Sequence, residues 1–151
     1  MKSFVYLIPF SLALAMTGCG SDEAEAVAVI TSTHTCHLDL INGNQETLVR
    51  LTPGQLSMRG WAFDRGTMTA PSNVEVVLKD SQGNAYNFPG SKRDERPDVA
   101  KAYKKEDIRN AGFQLVADAS ALPHGIYSIM VKMSEGKRTV QCDIKKNLIF
   151  I

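Results

Sequence analysis

The chain is poor in the residues that carry most enzyme chemistry, with three histidines, three cysteines and one tryptophan in 151 residues. It has no G-x-S-x-G turn to strain a nucleophilic serine. Pro89-Gly90-Ser91-Lys92 lacks the spacing of a phosphate-cradling loop. His34, Cys36, His37 and Asp39 are metal-ligand types, but no second pair accompanies them. On a strand, His34 and Cys36 would face away from His37 and Asp39. No metal and no cofactor is therefore expected. Seventeen basic residues balance 16 acidic ones, so no global field favours nucleic acid. No apolar run approaches the roughly 20 residues of a spanning helix.

What is present begins with Lys2, a dozen mostly apolar residues from Phe4 to Ala15, and Met16-Thr17-Gly18-Cys19. This arrangement resembles the lipobox of bacterial lipoproteins, with Met16 where Leu is usual. The resemblance implies cleavage before Cys19 and acylation of its sulfur and its new amino group. An ordinary secretory cut after Ala13-Leu14-Ala15 is the alternative, and it would leave Cys19 a free thiol. With residues 1–18 removed, 133 remain, carrying 16 charges of each sign because Lys2 is lost. Residues 19–33 are rich in Ala, Ser, Thr and acids and read as a flexible tether, leaving residues 34–151 as one domain. The expected address is the cell envelope, anchored by lipid at the periplasmic face of the outer membrane. Ser21-Asp22-Glu23, which resembles a surface-export signal, leaves surface exposure open. With Cys19 assigned to lipid, Cys36 and Cys142 remain, and an oxidising compartment favours their pairing over two buried free thiols.

From Cys36 onward the apolar period is near two, in short runs divided by turn signals, which predicts about seven or eight antiparallel strands. Cys36, Leu38 and Leu40 are expected to share one face. Runs follow at 47–51, 56–63, 74–79, 85–88, 113–117, 126–133, 139–144 and 147–151. Strands spaced about ten residues apart, without βαβ alternation, predict an immunoglobulin-like antiparallel β-sandwich, with a closed barrel second. Residues 90–112 break the pattern. Pro97 and Asp98 suit a helix first turn, and Val99 and Tyr103 would then share a face.

Several short motifs occur in order: Cys36-His37-Leu38-Asp39-Leu40-Ile41-Asn42-Gly43, Gly60-Trp61-Ala62-Phe63-Asp64, Glu95-Arg96-Pro97-Asp98-Val99, Ala111-Gly112-Phe113, Leu122-Pro123-His124-Gly125-Ile126-Tyr127 and Cys142-Asp143. Together they resemble immunoglobulin-like modules of bacterial envelope proteins. The resemblance implies a β-sandwich with both cysteines as framework residues, and it implies no catalytic residues.

The expected function is a non-enzymatic binding or scaffolding module that contacts an envelope protein or glycan through the 90–112 insertion and neighbouring loops. Arg96, Asp98, Lys101, Tyr103, Lys104 and Lys105 are the candidate contact residues. A structural role for Arg96 or Asp98, tying the loop to the sandwich, stands beside recognition. Trp61 reads as core sooner than as a ligand platform. Two other functions compete: an inhibitor or immunity-type lipoprotein using the same insertion, and a small envelope hydrolase that would need Asp64 or His124 beside a second titratable group.

Overall fold

The computed structural model describes residues 28–90 and 92–151. Among these residues, nine strands form two sheets: β1 (Val29–Thr33), β2 (Cys36–Ile41), β3 (Leu48–Leu51), β4 (Gln55–Ala62), β5 (Asn73–Asp80), β6 (Ala85–Pro89), β7 (Gly112–Asp118), β8 (Gly125–Glu135) and β9 (Arg138–Phe150). The larger sheet runs β1-β9-β8-β5-β6, with β3 also on β9, and the smaller runs β2-β4-β7. The fold is an all-β, immunoglobulin-like sandwich. Leu38, Ile41, Leu56, Met58, Phe113 and Leu115 of the smaller sheet pack on Val76, Leu78, Ile129, Val131, Leu148 and Phe150 of the larger. Alternation places each set on one face of its sheet, so burial of these side chains drives the two sheets together.

Three departures from the sequence expectation position the features described below. Strand β1 occupies Val29–Thr33, inside the stretch expected to be tether. Val29, Ile30, Thr31 and Thr33 are β-branched, and β1 pairs in parallel with Arg138–Cys142 of β9. In β2 the register slips between Leu38, opposite Gly60, and Leu40, opposite Arg59. Asp39 is thus a bulged residue, and Ile41 rather than Leu40 enters the core beside Leu38. The runs expected at 139–144 and 147–151 form one strand, because Lys145 and Lys146 bulge out between Ile144, opposite Ile129, and Asn147, opposite Ser128.

Cys36 and Cys142 are bonded, with Cα atoms 6.2 Å apart, and the bridge joins β2 of the smaller sheet to β9 of the larger. At the turn into β8 the Tyr127 hydroxyl donates to the Pro123 carbonyl at 2.7 Å, the tyrosine-corner arrangement of immunoglobulin-like sandwiches. Its ring lies edge-on to Tyr86 and Phe150. Tyr127→Phe keeps that packing and removes one hydrogen bond, so it is expected to cost about 1 kcal/mol, read as a shift in urea midpoint at constant slope.

Candidate functional site

Residues 90–112 carry a short helix, α1 (Pro97–Tyr103), and a 3-10 turn (Glu106–Ile108). Pro97 opens α1, Asp98 occupies its first turn, and Lys104, at φ 53°, closes it in the left-handed region. The insertion has its own small core, in which Val99, Ile108 and Ala111 enclose Phe63 and partly cover Trp61. Tyr103 meets Phe63 edge-on at 4.8 Å, and Trp61 lies 6.1 Å from Tyr103. Trp61 is half-buried, its ring also near His37.

Arg93 fastens the start of this segment. Its guanidinium donates to the carbonyls of Pro71, Ala62 and Ala111 at 2.8–3.0 Å, and burial pulls its pKa down to about 10. Arg96 fastens the middle, donating to bulged Asp39 at 2.6 Å and to both oxygens of Asp98 at 2.9 and 2.7 Å. The hydrogen bonds to Asp98, with those to Asp39, raise the Arg96 pKa further, and those from Arg96 pull Asp98 down to about 2. Arg96 and Asp98 therefore tie the loop to β2. Lys105 pairs with Asp107 at 2.8 Å. Lys101 and Lys104 are exposed and make no ion pair among the described residues. Tyr103 adjoins a cavity.

That cavity is a cleft of about 570 Å³ between β1, the loop after β4 and the end of α1. Asp64, 2% exposed, lies at its base. Its carboxylate accepts from Arg138 Nε at 2.7 Å and from the Gly66 amide at 2.8 Å. Burial alone would raise the Asp64 pKa; the bonds from Arg138, Gly66 and Thr67 overcome it and hold the group below the ordinary carboxylate value. Along the β1 wall, the Thr35 hydroxyl donates to the Phe63 carbonyl at 2.6 Å and so accepts from Thr33 at 2.7 Å. The Thr31 hydroxyl is shielded from solvent and has no partner among the described residues. The Asp64–Arg138 ion pair and the ring of Tyr103 give this cleft of ligand size one charged and one aromatic element.

A pH prediction follows from Asp64. Its folded pKa is depressed, so its stabilisation is present above the ordinary carboxylate pKa near 4 and is lost as pH falls through the lower folded value. Asp64→Asn is therefore expected to melt well below wild type at pH 7, with the gap narrowing steadily as both are titrated to pH 3. A gap that is independent of pH would show that the ionised carboxylate is not the stabilising species.

The residues weighed for hydrolysis fall in separate places. Asp64 shares its cleft with His34, Tyr103 and Arg138, whereas exposed His124 lines a smaller cleft of about 190 Å³ with Asp80. The Asp80 carboxylate accepts from the Asn84 side chain and from the Gln82 and Asn84 amides, and these bonds lower its pKa. Cys36 is consumed by the disulfide, and no group of three or more His, Cys, Asp or Glu side chains among the described residues could hold a metal. Cys19 lies outside the described residues. Neither a protein-family model nor a curated protein matches the chain.

Sequence reasoning missed Thr31, Thr33, Thr35 and Arg138. The only available signal was the alternation Thr31, Thr33, Thr35 running into Cys36, which continues the strand period back into the supposed tether.

Proposed function

We propose that the protein is a lipid-anchored, non-enzymatic binding module of the cell envelope, held through Cys19 at the periplasmic face of the outer membrane. It contacts a protein or glycan through the β1–α1 cleft and the exposed face of the insertion. The observation that carries this reading is the cleft itself, which joins Tyr103 of the insertion to the strand-end loops over a fixed Asp64–Arg138 pair. An ionised carboxylate locked to arginine is an acceptor for ligand hydroxyl or amide groups, not a proton donor. With Val29 already in the sheet, the ten residue steps from Cys19 to Val29 would keep the start of β1 within about 35 Å of the bilayer.

In-cell crosslinking from Lys101 and Lys104 tests the reading, with Tyr103→Ala as the variant and membrane fractionation of Cys19→Ala alongside. Specific crosslinked partners that disappear in Tyr103→Ala support it. A crosslink pattern identical in wild type and Tyr103→Ala removes the cleft from the contact, and firm membrane retention of Cys19→Ala removes the lipid anchor.

A further inference from the structure

One edge of β9 carries two strands end to end, β1 along residues 138–142 and β3 along 147–150. Between them, residues 143–146 have no strand partner on that side among the described residues. This is the stretch where Lys145 and Lys146 bulge from the ladder with β8, and bulges re-aim side chains. Both lysines open onto a cleft of about 400 Å³ that also exposes His34, His37 and Thr47, with Cys36 of the disulfide in its wall. Lys146 is 7% exposed, yet among the described residues its ammonium meets a single acceptor, the Gln45 carbonyl at 2.7 Å. An ammonium has three donors, and a buried one is costly without a counter-charge. Asp143, exposed, is the one carboxylate on the wall, against two lysines.

We propose that this cleft binds the carboxylate of an acidic sugar residue. Lys146 and Lys145 supply positive charge, and the imidazoles of His34 and His37 supply N–H donors. The inference rests on the glycan branch of the function proposed above. Two features favour a saccharide over a peptide. The chain itself closes the open edge at both ends, at Thr33 and Thr47, leaving about 13 Å, too little for an extended strand to lie along β9. His34 also borders both clefts, so a chain of sugar units leaving a bound acidic residue has a path toward the wall that holds Tyr103.

Calorimetric titration of the purified protein with tetragalacturonate tests the proposal, with the neutral galactose tetramer and a tetraglutamate peptide as comparators. Tetragalacturonate is expected to bind at least about tenfold more tightly than either and to weaken as salt is raised. Lys146→Met and Lys145→Gln are each expected to weaken it about tenfold. Lys145 is exposed, so Lys145→Gln keeps the test decisive even where Lys146→Met perturbs folding. Equal binding of the neutral tetramer or of tetraglutamate overturns the proposal, as does wild-type affinity in Lys145→Gln. Should Tyr103→Ala abolish saccharide binding while both lysine variants leave it intact, the glycan-binding reading stands and this site falls. Should no saccharide bind while the in-cell crosslinks persist, the partner is a protein and the inference falls alone.

Discussion

Replacing both Cys36 and Cys142 by alanine is expected to lower stability by about 4–5 kcal/mol, because the bridge closes a loop with a sequence separation of 106. For a domain of this size that corresponds to a fall in melting temperature on the order of 15 °C. The sheets themselves should survive, since the buried residues that hold them together are spread over both sheets and owe nothing to the sulfur atoms. Far-UV circular dichroism of the double variant is therefore expected to match wild type at 20 °C, while its melting curve shifts. The wild-type protein with reductant should reproduce that shift. A melting temperature unmoved by reduction would mean that β2 and β9 are held against each other across the two sheets by packing alone.

Gly60→Ala is the second large effect. Gly60 lies in β4, the central strand of the smaller sheet, between Leu38 of β2 and Phe113 of β7. A methyl group there would fall on the His37 carbonyl oxygen, well inside van der Waals contact, and 3.1 Å from the Leu38 Cα. Both are backbone atoms, so no rotamer change relieves the clash, and β2 must move away from β4. The expected cost is about 3 kcal/mol. Displacement of β2 also displaces the adjacent bulge at Asp39, to which Arg96 ties the insertion. Limited proteolysis should therefore cut within residues 90–112 faster than in wild type. Gly54→Ala is the control: the nearest atom to its added carbon is a carbonyl oxygen 4.0 Å away, and it should be nearly neutral.

Much of this architecture was legible because strand alternation and turn residues are local signals. The β5–β6 hairpin and the Pro97 helix start each announce themselves within a few residues, and the cysteine pair was expected from the export signal that the sequence resembles. The bulges did not. Asp39 and the Lys145–Lys146 pair are ordinary polar residues in apolar runs, and only the registers of β4 and β8 reveal that each is extra. The candidate site divides in the same way. Arg96 and Asp98 were visible as a charged centre, but their attachment to Asp39 depends on a contact 57 residues away. Thr31 and Arg138 become neighbours only once β1 lies on β9, a pairing that threonine-rich composition had concealed behind the appearance of a tether.

That pairing has a mechanical side. Load drawn through the residues preceding Val29 enters the domain along β1, whose grip is a five-residue parallel ladder on β9. Because β1 is also one wall of the cleft, peeling it away removes Thr31 and Thr33 from whatever occupies that space. By reciprocity, an occupant that needs the wall raises the force required to strip the strand. Under the lipid-anchored reading proposed above, tension at Cys19 and hold on an occupant of the cleft work against each other.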